Sequence, residues 1–345
     1  MNFQNDRYTL AFAESSDNEG ICSVFEAEGF GGGLSVQYLR GRDPLGSFAA
    51  EGETARIMVI RDNHGGRVAA VGGAVVRREF LNGSEEKCAY LTGLKIHPDY
   101  RGKIRFIPQA YRFLYDSISD CKFFYTTILD GNPAAISMLE KRRKNMPLYR
   151  YLGHYTTYCF HGGKKILPIE KNNTDGFEEL FNSHFAKQSL TPADCRCKGF
   201  GKTDFFCLRE NGRIRACCFI GNQQAFKQYR MCGYGGVYKL LSKIPVRLLG
   251  YPAFPESGRE INYGTASYLY IENNDPKLCS DFLRSAAAET DFSLILWGGF
   301  ENNPLCAAMD KIKAVRYGSR LYSVVWEDIK ETAAEGVIGV EAALL

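Results

Sequence analysis

Short runs of apolar residues in the first half of the chain predict β-strands that alternate with helices. Residues 90–96 alternate between apolar and polar positions, and this run stops just before a proline. Residues 122–129 (KFFYTTIL) are aromatic and β-branched, which predicts a buried strand. Residues 134–144 have a helical pattern, and residues 149–160 return to a strand pattern. The predicted order is therefore strand, loop, helix, strand, helix, strand.

The loop after the first of these strands is short and basic, with the sequence Arg101-Gly102-Lys103-Ile104-Arg105. A diphosphate-binding site can form where a strand leads through a loop with cations and free backbone amides into a helix N-terminus. Gly102 would allow the backbone to approach an anion closely. The alternative is a solvated surface loop that happens to carry three basic residues.

The second helix has a clear start signal. Asp130 and Gly131 predict a turn, Asn132 is a favoured N-cap, and Pro133 suits the first helical position.

These elements resemble the GNAT superfamily, the acetyl-CoA-dependent N-acyltransferases, over residues 5–160. The resemblance rests on three segments: Leu94-Lys95-Ile96-His97-Pro98, Tyr100-Arg101-Gly102-Lys103 and Asn132-Pro133-Ala134-Ala135. It implies an α/β (α+β) fold, with a mixed central sheet flanked by helices, and acetyl-CoA as co-substrate.

The resemblance also implies roles for individual residues. The pantetheine would lie in a gap beside the strand end Leu94, Lys95 and Ile96, where a backbone amide would polarise the acyl carbonyl. The other implied cofactor-binding residues are Arg101, Gly102, Lys103, Ile104, Arg105, Phe106 and Asn132. Leu139 occupies the position of the family's frequent general-acid tyrosine, so that acid is not carried over.

Acyl transfer to an amine needs a group that accepts a proton from the ammonium and a group that protonates the leaving thiolate. Glu79, at the end of a predicted strand, is the favoured base, and Glu85, Glu86 and His97 are alternatives. Tyr151 is the favoured acid, ahead of Tyr149. Each of these residues also has a structural interpretation, as a solvated turn, a loop-ordering group or a packed strand residue.

The second half repeats the first at low similarity. Hairpins over 56–71 and 205–217 correspond, and Asn132-Pro133 corresponds to Asn303-Pro304. The basic loop is missing from the second half, where Glu272 and Asp275 stand instead. We therefore expect two GNAT-like domains: residues 1–165 would bind acetyl-CoA, and residues 166–345 would be a degenerate copy with an insertion near 231–264. Coincidence among short strand–helix units is the alternative.

Composition excludes some classes of function. The chain has 345 residues, of which 45% are hydrophobic and 24% charged, with a net charge of +4. This mild charge argues against a nucleic-acid partner, and no apolar run is long enough to span a bilayer. The 12 cysteines are scattered without metal-ligand spacing, so we expect reduced thiols and no metal. We also expect a cytoplasmic protein without a membrane partner.

Three functions stay open at this point. The leading one is transfer of an acetyl group from acetyl-CoA to a small-molecule or peptide amine, by a monomer or a homodimer. A non-catalytic protein that binds CoA or another ligand is the second, and a tandem-GNAT aminoacyl or peptidyl transferase is the third.

Overall fold

The computed structural model describes residues 3–29, 33–162, 165–326 and 332–345. Residues 163–164, just before the predicted domain boundary at 165, lie outside the described residues. The strands are β1 (Phe3–Gln4), β2 (Tyr8–Phe12), β3 (Leu34–Leu39), β4 (Thr54–Asp62), β5 (Val68–Leu81), β6 (Ser84–Ile96), β7 (Phe123–Leu129), β8 (Leu148–Phe160), β9 (Glu170–Lys171), β10 (Thr191–Pro192), β11 (Lys202–Glu210), β12 (Arg213–Asn222), β13 (Gln228–Tyr234), β14 (Tyr263–Ile271), β15 (Leu294–Phe300) and β16 (Ala314–Val325). The α-helices are α1 (Asn18–Glu26), α2 (Pro44–Ala50), α3 (Ile107–Asp116), α4 (Pro133–Glu140), α5 (Phe177–Ser183), α6 (Val237–Leu241), α7 (Pro276–Ala288) and α8 (Leu305–Met309).

Most of the strands form one 14-stranded mixed sheet, in the order β1-β2-β4-β5-β6-β7-β16-β8-β15-β14-β12-β11-β9, with β10 paired to β5. Strands β3 and β13 form a separate two-stranded sheet. The long sheet flanked by helices confirms the predicted mixed α/β class.

The strand order is nearly symmetric about the centre of the sheet. Read from one end it is β2-β4-β5-β6-β7-β16, and from the other it is β9-β11-β12-β14-β15-β8. Each half thus contributes the same series of elements, but the last strands are exchanged: β16 pairs with β7, and β8 pairs with β15. The division of the chain at 165 stays a prediction, because the exchange ties both parts into one sheet.

Helices cover both faces of the sheet. Ala70 and Ala74 share an apolar cluster with residues of α3 and α4, whereas Val71 and Val75 share one with residues of α1 and α2. Because successive strand residues point to opposite faces, these two helix pairs lie on opposite sides of β5. In the second half, Cys218 packs with α7 and α8, while Cys217 packs with α5 and the last residues of the chain.

Within the described residues, no helix is both long and apolar enough to cross a bilayer.

Candidate active site

A gap opens between β6 and β7. The two strands pair in parallel at only three positions, Cys88–Phe123, Ala89–Phe124 and Tyr90–Tyr125. The hydroxyl of Thr126 then donates to the carbonyl of Leu91 at 2.7 Å, and no ladder pair joins the strands further along in the described part of the chain. A strand-like ligand segment therefore has unpaired backbone on either side of this gap.

A β-bulge in β6 coincides with the start of the gap. Gly93 has a φ of 70°, and the register between β5 and β6 shifts between Val71 and Gly73. A side chain at Gly93 would lie 2.9 Å from the ring of Phe48, so both the backbone conformation and the close packing require glycine here.

The three predicted residues on the β6 side of the gap have different environments. Leu94 is 46% exposed, and Ile96 packs against the core beside α3. The Lys95 ammonium donates to the carbonyls of Phe25 and Glu28 at 2.7 and 2.8 Å. It thereby ties β6 to the C-terminal end of α1, and its burial lowers the pKa of Lys95 to about 8.

The basic loop leads directly into the N-terminus of α3. Phe106 is the N-cap residue, but its side chain makes no capping hydrogen bond. The backbone N–H groups of Ile104, Arg105, Ile107 and Gln109 have no hydrogen-bond partner among the residues that the structure describes. These open amides and the helix dipole favour an anion at this position.

The loop's side chains supply further positive charge. Gly102 has a φ of 73°, with open space where a Cβ would lie. Arg101 forms an ion pair with Glu28, while Lys103 and Arg105 line an open cavity of about 300 Å³ together with Arg7. The predicted loop therefore has the amides, charges and glycine that a diphosphate requires.

Asn132 lies at the start of α4, as the sequence predicts. Its side-chain oxygen accepts a hydrogen bond from the N–H of Ala135 at 3.1 Å, and Pro133 is the first helical residue. The side-chain amide nitrogen makes no hydrogen bond within the described residues, so it can donate to a ligand.

The matching position in the second half is closed. The Asp275 carboxylate accepts hydrogen bonds from the N–H groups of Lys277 and Leu278 at 2.7 and 2.9 Å, and these bonds hold the pKa of Asp275 below its ordinary value. A carboxylate thus occupies the N-terminus of α7, whereas the N-terminus of α3 is uncapped. Glu272 pairs with Arg215 at 2.9 Å.

The second half has a large aromatic side chain at the corresponding point. Strands β14 and β15 diverge after three paired positions, which repeats the geometry of β6 and β7. Trp297 is the first residue of β15 after its paired positions, and Thr126 is the first residue of β7 after its own. The two residues are therefore equivalent. Trp297 is buried in the same apolar cluster as Leu269 and Ile271, so a large ring takes the place of a small side chain.

The two predicted catalytic residues, Glu79 and Tyr151, do not lie beside the gap between β6 and β7. Glu79 is completely buried and bonded to Arg77 at 2.8 Å and to the Tyr125 hydroxyl at 2.6 Å. Burial raises the pKa of Glu79. It lies six residues along β5 from Gly73, or about 20 Å at ordinary strand rise.

Tyr151 is 52% exposed on β8 and makes an edge contact with Tyr322 of β16. Because β16 lies between β7 and β8, Tyr151 is two strands from the gap. Tyr149 is buried, and its hydroxyl is bonded to that of Tyr111 at 2.6 Å.

The sequence did not reveal a buried ion cluster that joins the two halves. Glu51 lies 3.0 Å from both Arg40 and Lys227, and the Lys227 ammonium also donates to the carbonyl of Leu345 at 2.6 Å. Burial lowers the pKa of Lys227 to about 8. These residues come from distant segments without any shared motif, so no local signal could have predicted the cluster.

Comparison with known proteins agrees with the fold. Yeast N-myristoyltransferase, in a structure with bound myristoyl-CoA, matches at a TM-score of 0.59 with 8% identity, over 93% of this chain and 83% of that chain. A GCN5-related N-acetyltransferase from Sphaerobacter thermophilus matches at 0.53 with 9% identity, over 93% and 96%. One from Anabaena variabilis matches at 0.51 with 11% identity, over 92% and 72%.

The chain therefore has the GNAT fold, and the predicted resemblance is confirmed at the level of fold. No protein-family model and no curated protein sequence matches the chain. The described residues contain no group of three or more His, Cys, Asp or Glu that could hold a metal ion.

Proposed function

We propose that the protein is an N-acetyltransferase that moves an acetyl group from acetyl-CoA to an amine, with the co-substrate bound by the first half. The observation that carries the proposal is the difference between the halves. The first has the small side chain of Thr126 where its strands diverge and an uncapped α3. The second has buried Trp297 at the matching position and the Asp275 carboxylate on α7. The solved structures of the same fold support this, because they include an N-myristoyltransferase and a GCN5-related N-acetyltransferase.

In this reaction the amine nitrogen bonds to the thioester carbonyl carbon, the carbon–sulfur bond breaks, the ammonium loses a proton and the thiolate gains one. The chain's contribution is mainly positioning and charge. The open amides of Ile104, Arg105, Ile107 and Gln109 would bind the diphosphate with Arg101 and Lys103. Asn132 would donate to the pantetheine arm. The backbone from Leu94 to Ile96, after the bulge, would hold the acyl carbonyl.

Packing below the bulge favours a short acyl group. The ring of Phe48 lies 2.9 Å from the Cβ position of Gly93, and that of Phe25 lies 3.7 Å from it. The Arg40 guanidinium stacks on the ring of Phe48, 3.7 Å from its centre. A long acyl chain entering here would have to displace these buried groups, whereas an acetyl group would not.

The acid and base are also proposals. Tyr151 is exposed and could protonate a leaving thiolate only if the co-substrate extends across β16. Glu79 lies too far from the bulge to touch a reacting atom, so we propose for it a positioning role through Arg77. We propose a small-molecule or peptide amine as the acceptor and the cytoplasm as the location of the reaction.

The test is acetylation of an amine panel that includes polyamines, amino acids and peptides, followed by mass spectrometry, together with calorimetry of CoA binding. We expect one CoA per chain and acetylation of at least one class of amine. Binding of CoA without turnover of any amine would identify a non-catalytic binding protein. Absence of CoA binding would reject the proposal, and a gel shift with tRNA would then test the transferase alternative.

A further inference from the structure

The insertion of the second half carries an unusual concentration of exposed apolar side chains. Val237, Leu240, Ile244, Leu248 and Leu249 project from α6 and the turns that follow it, and we call these five side chains the insertion surface. Leu248 is 84% exposed and Leu240 is 68% exposed. Burying such side chains removes a large apolar area from water, which favours contact with another surface.

Cations are interleaved with these apolar residues. Lys239, Lys243 and Arg247 are all exposed, and residues 236–251 contain no Asp or Glu. The ion pairs elsewhere in the insertion are Arg230–Glu260 and Arg259–Glu256. Within the described residues, none joins Lys239, Lys243 or Arg247 to an acidic group. We include these three cations in the insertion surface, which is therefore both apolar and positively charged.

We propose that the insertion surface docks on an anionic lipid membrane. Its cations match the negative charge of such a surface, and its leucines, isoleucine and valine match the apolar region below the headgroups. Leu248 projects into solvent instead of lining a recess, which suits insertion into a lipid interface better than capture of a peptide in a groove. This contact is peripheral, and it differs from our sequence-based expectation of no membrane partner.

Charge also disfavours a second copy of the chain as the occupant. A two-fold contact places the same patch of each copy against the other. It would bring Lys239, Lys243 and Arg247 of both copies together with no acid in residues 236–251 to offset them.

The test is cosedimentation with vesicles of phosphatidylcholine alone and of phosphatidylcholine with about one-third phosphatidylserine. We expect binding to the anionic vesicles that weakens as salt rises, and little binding to the neutral ones. The variant Lys239→Glu/Lys243→Glu/Arg247→Glu should reduce the partition coefficient by roughly 100-fold. The variant Leu240→Ser/Leu248→Ser should reduce it by at least about tenfold.

A matched control variant separates the effect of the insertion surface from the effect of net charge. Lys187, Arg196 and Lys202 are exposed and lie outside the insertion, so Lys187→Glu/Arg196→Glu/Lys202→Glu changes the net charge equally. We expect this control to bind vesicles as the wild type does. Equal loss in the control, no binding of the wild type at low salt, or self-association through the insertion surface in analytical ultracentrifugation would each overturn the proposal.

Discussion

Gly93 and Tyr268 occupy the same β-bulge in the two halves of the molecule. Both have positive φ, 70° and 51°, and each lies where its strand shifts register against the neighbouring hairpin. A left-handed conformation is costly for tyrosine, so its presence shows that the sheet geometry is retained in the second half. The halves share the bulge and differ in what lies beside it.

Removing two loop cations should weaken CoA binding. In Arg101→Ala/Lys103→Ala we expect the affinity to fall by at least about tenfold, because charge-assisted hydrogen bonds are worth roughly 1.5–3 kcal/mol each and Arg101 must first leave Glu28. Calorimetry measures the change. The matched control is Arg213→Ala/Lys277→Ala, which removes two cations near α7. An unchanged affinity in the loop variant would show that the diphosphate binds elsewhere.

A large ring at the position of Thr126 should block the co-substrate. Thr126→Trp places in the first half the side chain that stands at the equivalent position of the second, Trp297. We expect CoA binding to be lost, at a stability cost of about 1–3 kcal/mol for overpacking. Circular dichroism and thermal unfolding check that the variant folds.

The reverse change tests whether Trp297 is the only feature that keeps CoA out of the second half. Trp297→Thr leaves the Asp275 carboxylate on α7, so the stoichiometry should stay at one CoA per chain. A second CoA in this variant, or in the wild type, would contradict the assignment of the second half as cofactor-free.

The two asparagines that precede α4 and α8 should respond differently. Asn132→Ala and Asn303→Ala each remove a side-chain hydrogen bond to a backbone N–H, at a cost of about 0.5–2 kcal/mol in the free energy of unfolding. Only Asn132→Ala should also weaken CoA binding, because Asn132 belongs to the half with the uncapped α3, whereas in the half of Asn303 the Asp275 carboxylate occupies the N-terminus of α7. Equal CoA affinity in both variants would remove Asn132 from the binding site.

Glu341 should make stability depend on pH. Burial raises the pKa of Glu341 from 4.5 to about 8, and its carboxyl accepts a hydrogen bond from the N–H of Tyr268 at 2.8 Å. Between these two pH values the folded protein keeps a proton that the unfolded chain has released. The contribution of Glu341 to the free energy of unfolding is therefore complete below about pH 4.5 and falls as pH rises toward 8.

Glutamine at this position cannot titrate but can accept the same hydrogen bond. The free energy of unfolding of Glu341→Gln relative to the wild type should therefore rise from about pH 5 to pH 8, by an amount on the order of a few kcal/mol. Urea unfolding at several pH values measures it, and Glu335→Gln, at an exposed site, is the control. A constant difference across this range would mean that Glu341 is ionised throughout.

Local signals in the sequence determined much of the first half. The strand before the basic loop, the loop itself, the Asn132 cap and the helix after it were predicted, because capping, turns and strand alternation depend on residues only a few positions apart. The repeated Asn-Pro signal and the missing loop likewise indicated a second, altered copy. These signals were sufficient for the fold class and for the position of the proposed cofactor loop.

Only the tertiary structure decided how the halves are joined and which groups lie near the gap. The exchange of β8 and β16 has no local signature, because either strand can pair with the same backbone groups of β7 or β15. The match between Trp297 and Thr126, and the distance of Glu79 from the first gap, follow from strand register and packing between segments that are far apart in the chain. Sequence patterns specify which face of a strand is buried, but contacts between distant residues arise only when the chain folds.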